Sequence, residues 1–546
     1  MTSMSVPEYI PLQALNSDVF RIIISALSGQ DLRSLSLCCK WVRLDCVPFL
    51  FRSLTVKLYR PLHRDRFIDS VMWPFIRSLT LVDMCPDAGA PERSEEDLAS
   101  YRPLRFAEDI LTCGVFEPRV LADILTNMSG LGALTLDLPT GGAVPHGLPW
   151  KALKVVLSST CLRELSLTCL RTTLSTPTDW PSELHALATM SLPPLTVLKY
   201  SLHPYRQAPR AYSSEMDVMS TLAERLHGSL VALELPLELA NLHAMSHVQW
   251  PHLRELRLIG EFSPSPPLTL VSVLLNMPQL RALELKLTPL VGSDMPPIWP
   301  PDYVSADEGC PSFELETLTI SYPHAHDKFF SHLAPTMHNL SLRCWPHYST
   351  YQWRYADRYR WMTEGREWYC SVAMSSSLLR ILQACPSSPL QGLEIEYRAD
   401  DGDVSLLSHI VVAFPALTFL KVYRYREHAD VTVPVEAIAQ VLSALRLLRT
   451  LRLHLDFADT PERTMLSRRT RDLWYDQEEL TEFRRGRLTN TARVFARLLA
   501  PSVGSIWMLH PADGRSEWAG FQVAPAGTAG TPDAEVKPIC EFTSSS

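Results

Sequence analysis

Glycine is scarce in this chain, with 21 residues in 546 against 43 prolines. Phosphate- and dinucleotide-binding loops need clustered glycines so that backbone can approach the ligand closely. Neither G-x-G-x-x-G nor G-x-x-x-x-G-K-[ST] occurs, and G-x-S-x-G and H-E-x-x-H are missing as well. The common nucleotide, serine-hydrolase and zincin chemistries therefore have no sequence footing, and a non-enzymatic chain without cofactor is expected. Twelve cysteines are scattered with no C-x-x-C and no paired zinc spacing, which predicts no metal and a reduced cytoplasmic or nuclear setting. No apolar run approaches the ~20 residues of a membrane span. The longest, VFRIIISAL (19–27), is broken by Arg21, and the opening MTSMSVPEYIPLQAL lacks the basic flank and apolar run of a secretory signal. The sequons at Asn127 and Asn339 are then idle matches. A formal charge of −8 leaves no basic footprint for nucleic acid.

What the chain does have is repetition. It reads WPFIRSLTL (73–81), LPPLTVLKY (192–200), WPHLRELRL (250–258), MPQLRALEL (277–285) and FPALTFLKV (414–422), all of the form P-x-[LI]-x-x-L-x-[LYV]. Looser copies include LGALTLDL (131–138), SLVALELPL (229–237), LQGLEIEY (390–397) and LRTLRLHLDF (448–457). About a dozen units recur roughly every 22 to 35 residues, the spacing of leucine-rich repeats. The alternating L-x-L is a short strand with leucines inward and the residues between them outward. Proline before it has no N–H for a ladder and ends the preceding helix. Helical patterns lie between the strands at 268–277, 375–385 and 435–445. The predicted fold is α/β: an irregular solenoid with a parallel sheet on its concave side. The asparagine that usually follows the strand is mostly absent, so no side-chain amide ladder is expected.

The stretch DLRSLSLCCKWVRL (31–44) also shows L-x-x-L-x-L, but it follows no proline. Its apolar positions Leu32, Leu35, Cys39, Val42 and Cys46 continue at helical spacing. It reads as a helix. Upstream, Val19, Ile22, Ile23, Ala26 and Leu27 form the apolar stripe of another, with Asn16 or Ser17 as its cap, Gly29 as its stop and Asp31 starting the next. Short helices ahead of a repeat array resemble an F-box, here over residues 10–54. Leu15, Asp18, Ile23, Leu27, Asp31, Leu32, Cys39, Lys40, Leu50 and Phe51 occupy that family's positions. Asn16 replaces the usual proline, and Trp41 stands one place early.

The resemblance implies a substrate-receptor subunit of an SCF-type cullin ubiquitin ligase. The helices would dock a Skp-family adaptor through Leu15, Asn16, Ile23, Leu27, Leu32, Leu35, Cys39 and Val42. The concave sheet would meet a protein target, and the residues between strand leucines there are Glu234, Glu255, Arg257, Glu284, Lys286, Glu394, Lys421 and Arg452. The alternative is a leucine-rich scaffold with no ligase attached. Expected boundaries are a flexible start at 1–9, the helical domain at 10–54, the solenoid at 55–518 and a disordered tail at 519–546. Insertions are expected near 82–130, 344–370 and 458–495. The second of these interleaves arginines with aromatics and reads as a loop folded on the solenoid, with a target-binding loop as the alternative. Within the third, 468–488 reads as an exposed amphipathic helix. His324 and His326 read as an exposed strand-end pair.

Overall fold

A computed structural model describes residues 15–64, 67–85, 106, 113–138, 148–168, 180–201, 213–262, 270–289, 295–303, 313–345, 372–386, 389–428, 430–461, 464–465, 473–474, 476–499, 501–512, 515–523 and 536–539. The chain divides into two compact units, the first formed by 1–206 with 212–230 and the second by 207–211 with 231–546. The flexible start at 1–9 and the aromatic-arginine segment from 346 onward lie outside the described residues.

The first unit opens with α1 (Ser17–Ala26), α2 (Gly29–Ser36) and α3 (Lys40–Leu50). Asn16 caps α1, its side-chain oxygen accepting from the Asp18 N–H at 2.8 Å. Ser28, not Asp31, caps α2: its hydroxyl accepts the Asp31 N–H and donates to the Asp31 carboxylate. Gly29 is thus the first residue of α2 and not the stop of α1. The stretch 31–44 is helical at both ends but breaks at 37–39, so it belongs to two helices. The stripe Val19–Ile22–Ile23–Ala26 also faces outward. Phe20 and Ile24 are the buried pair instead, packed with Leu32, Val42 and Cys46. The reason is an aromatic anchor, since the Phe20 and Trp41 rings lie 5.2 Å apart and rings carry most of a small core's buried area.

The repeats follow. β1 (Ser53–Leu58), β2 (Ser78–Asp83), β3 (Ala133–Asp137), β4 (Glu164–Thr168) and β5 (Val197–Ser201) pair in parallel, in chain order. Equivalent leucines align: Leu54, Leu79, Leu134, Leu165 and Leu198 are successive partners. Helices α4 (Pro118–Asn127), α5 (Trp150–Leu157), α6 (Trp180–Thr189) and α7 (Ser213–Leu226) cover one side. The interval 82–130 therefore holds the end of β2 and the ordinary covering helix α4, so it is not wholly an insertion.

In the second unit, β6 (Ala232–Pro236), β7 (Glu255–Phe262), β8 (Ala282–Pro289), β9 (Thr317–Ile320), β10 (Asn339–Leu342), β11 (Gly392–Arg398), β12 (Phe419–Tyr425) and β13 (Thr450–Leu455) continue the parallel pattern. The expected helices appear as Leu270–Leu274, Ser375–Ala384 and Val435–Leu442. β14 (Thr464–Met465) and β15 (Leu473–Trp474) form a small antiparallel pair. After it a helix runs from Gln477 to Phe483, passes through a π turn at Arg484–Leu488 and continues as Thr489–Leu498. Leu480 and Phe483 are buried, so this helix is amphipathic but docked, and its last part packs beside the Val435–Leu442 helix as a regular coil helix.

β16 (Ser505–Ala512) joins β13 in parallel, and then the direction changes. β17 (Arg515–Val523) and β18 (Val536–Ile539) add antiparallel strands. The tail expected to lack structure from 519 is thus strand at 519–523 and 536–539. Reversal supplies a partner for β16, whose edge a further parallel coil would otherwise have to cover.

One backbone device recurs in every coil. The carbonyl just before a strand accepts two successive N–H groups from the start of the next strand, at 2.7–3.2 Å. In the first unit Arg52, Arg77, Gly132 and Arg163 accept in turn; in the second the relay starts at Val231 and Arg254 and ends at Arg449. This ladder does in backbone what side-chain amides were not available to do. It also sets register: Leu256 and Leu283 are partners, each 1% exposed, while Glu255 is exposed. Leu256→Ala should cost about 2–5 kcal/mol, and Glu255→Ala less than about 0.5 kcal/mol. Urea unfolding of the two variants measures this, and equal losses would exclude the register.

Candidate functional site

The N-terminal helices carry two apolar faces where one is needed for folding. Ile22 is 68% exposed and Ile23 42%, with Val19 beside them at i, i+3 and i+4 spacing. Leu37, after α2, and Leu44, on α3, are exposed too. Of the residues expected to face an adaptor, Asn16, Ile23 and Cys39 are exposed and Leu15, Leu27 and Leu35 half-buried. Leu32 and Val42 are core residues with no surface to offer. Periodicity marked both kinds as apolar and could not tell which face was inward. Val19, Ile22, Leu37 and Leu44 are the surface residues that the motif alone did not single out.

In the second unit, the face away from the helices is uneven. At β6–β8 it is exposed at Arg257 and Glu255: Arg257, 45% exposed, lies 3.9 Å from Glu234, 3.9 Å from Glu255 and 3.6 Å from Glu284, while Glu234, Glu284 and Lys286 are half-buried and Lys286 pairs with Glu284. The long pairs made by exposed Arg257 are worth little for stability. Strand alternation brings all five expected residues here to one face.

At β10–β16 the same face is filled. Ser341, Glu394, Lys421, Arg452 and Trp507 stand in one register row across five strands. Glu394 accepts from Ser341 at 2.6 Å and pairs with Arg343 at 2.8 Å and Lys421 at 2.6 Å. Burial pushes the Glu394 carboxyl upward, but Arg343 and Lys421 outweigh it and hold it down to about 2. Arg452 stacks its guanidinium 5.2 Å from the Trp507 ring and 5.5 Å from Trp518. Gly520 faces Trp507, and a Cβ there would lie 2.6 Å from the ring, so only glycine lets the indole lie flat. A second apolar cluster, with Tyr423, Tyr425, Cys344 and Leu509, covers this part of the sheet. Glu394, Lys421 and Arg452, expected to await a target, are thus engaged within the chain.

Two further polar clusters sit in loops. Asp327 accepts from the N–H groups of Ile298, Trp299 and Phe329 at 2.6–3.0 Å, and burial still raises its carboxyl. His324 is half-buried and His326 exposed, with rings 5.8 Å apart and no third donor grouped with them among the described residues. Asp83, Cys85 and Cys113, in contrast, bring three metal-capable donor atoms within 4.8 Å of one another. Cys85 and Cys113 are far apart in sequence, which is why a search for paired spacings misses them. Among the described residues, no helix is long and apolar enough to cross a membrane.

The lowered Glu394 carboxyl has a pH signature. Its folded-state value lies below the unfolded one, so its contribution is complete above about pH 4.5 and is lost as pH falls toward 2. The difference corresponds to about 3 kcal/mol. Glu394→Gln should therefore lower stability at neutral pH and flatten the decline between pH 5 and about 2. Thermal melts across that range provide the check; an unchanged acid limb would show that the row does not hold the carboxylate.

No protein-family model matches the chain, and no curated protein does. Among solved structures, an internalin from Listeria monocytogenes is similar over 80% of both chains, at 12% identity and a TM-score of 0.29. By its own strand register, the chain is an α/β protein in which short N-terminal helices precede a long parallel sheet of leucine-rich-repeat-like coils.

Proposed function

We propose that this chain is a substrate-receptor subunit of an SCF-type cullin ubiquitin ligase. Its N-terminal helices dock a Skp-family adaptor as an F-box does, and its repeat array binds a protein target. The observation that carries the reading is the second apolar face of α1, where Val19, Ile22 and Ile23 are exposed although the three-helix core is already complete without them. Exposed isoleucines grouped on one helix face mark a surface made to be covered. Their place directly ahead of the repeats, and the run of motif residues through Phe51, favour an adaptor over any other cover. Asn16 supports the same helix by capping, with no need of the family's proline.

The array's part is positioning, which raises the effective concentration of the target near the conjugating enzyme. Target contact is assigned to Glu234, Glu255, Arg257, Glu284 and Lys286, because Glu255 and Arg257 are exposed there while the row at Glu394, Lys421 and Arg452 is closed by its own contacts. Such a role belongs in the cytoplasm or nucleus.

The test is capture of the full chain with its partners, followed by titration with purified adaptor. The parent should bring down adaptor and cullin. Ile23→Asp should weaken adaptor binding by about 100-fold or more, since a charge would then be buried at the contact. Asn16→Ala should cost about 1 kcal/mol of helix stability with a smaller effect on binding. Capture of a target with no adaptor or cullin would replace this reading with that of a scaffold working outside a ligase.

A further inference from the structure

Asp83, at the end of β2, is 3% exposed, Cys85 lies two residues on, and Cys113 reaches them from the segment leading into α4. The carboxylate is oriented asymmetrically. Its Oδ1 accepts the Cys85 backbone N–H at 2.7 Å, which leaves Oδ2 facing the Cys113 sulfur at 3.0 Å. A backbone bond to the far oxygen is how ligating carboxylates are usually aimed. All three side chains are buried, and their donor atoms already lie within 4.8 Å of one another. The ligand atoms of a tetrahedral zinc ion stand about 3.5–3.8 Å apart, given bond lengths of about 2.0–2.3 Å. A shift of about an ångström would therefore seat an ion.

We propose that Asp83, Cys85 and Cys113 form a binding site for a soft divalent cation of the zinc type. Two sulfurs and one carboxylate oxygen select such an ion over magnesium or calcium, which take oxygen alone. Binding converts both thiols to thiolates, so one ion enters and two protons leave. Three protein ligands leave a fourth position for water or another donor. Because the ion displaces the two thiol protons, its uptake should strengthen as pH rises. The ion would tie β2 to the start of α4 across the intervening segment, so its role is structural.

The experiment uses the full chain, freshly reduced and stripped with chelator, then titrated with cobalt(II). The site predicts thiolate-to-cobalt charge-transfer absorption and tetrahedral visible bands that saturate at one equivalent and are displaced by zinc. Cys85→Ser and Cys113→Ser should abolish the bands, Asp83→Asn should weaken binding at least tenfold, and Cys161→Ser should change nothing. Because a variant can fail to fold, a second measurement uses the parent alone: zinc should protect Cys85 and Cys113, and not Cys38 or Cys39, from alkylation read by mass spectrometry. Absence of saturable bands, bands that survive both serine variants in folded protein, or equal alkylation with and without zinc would each overturn the proposal.

Discussion

One carbonyl per coil, accepting two successive N–H groups of the next coil, is the contact on which the rest of this structure depends. After the first in each unit, each accepting residue also donates its own N–H to the carbonyl of the coil before, so the relay is continuous within each unit. It pins the first residue of every strand, and register then follows two residues at a time. That places a leucine of each repeat against the equivalent leucine of its neighbour, as with Leu393, Leu420, Leu451 and Ile506. A slip of one residue would turn all of them to the wrong face. The relay is made of backbone alone and so tolerates almost any side chain. This is how coils of unequal length, with little glycine and no regular asparagine, still stack.

Irregular coils need fastening where their connections differ, and buried or half-buried acids do this. Asp403, at the start of its helix, holds Arg424 of β12 through two bonds of 2.7 and 2.9 Å and accepts the Tyr397 hydroxyl. A buried pair of this kind is costly to break from one side. Asp400 ties Ser375 and Ser376 to the turn at Gly402. Glu183 joins α6 to Trp150 and Lys154 of α5, and those bonds lower its carboxyl. In each case a carboxylate replaces water for donors that the repeat geometry alone leaves unmatched. The Glu394 row does the same work on the other face of the sheet.

That row also limits function. A helix-free sheet face is a binding surface only where side chains are left to solvent, and aromatic packing around Tyr423, Tyr425 and Trp518 uses up the part near β12 and β16. Antiparallel β17 makes this possible, because it delivers Trp518 and the flat position at Gly520 beside Trp507. What stays open is the stretch around Arg257. The N-terminal helices present the opposite case, since their core closes over Phe20 and Ile24 and leaves Ile22 and Ile23 outside.

By itself the sequence determined the class and the register. The P-x-[LI]-x-x-L-x-[LYV] formula names the buried positions, because alternation within a strand is local and proline's effect is local. It likewise determined that residues 31–44 are helix and not a repeat strand, from spacing and the missing proline, though not that they divide between two helices at 37–39. Tertiary structure decided what local rules cannot reach. The choice between two apolar stripes on α1 went to the one with the aromatic partner Trp41, a contact from another helix. Whether Lys421 and Arg452 face solvent or an indole depended on a strand that returns antiparallel almost a hundred residues further on. Asp83, Cys85 and Cys113 were brought together where the chain at Cys113 meets the end of β2, and no spacing along the chain announces such a meeting.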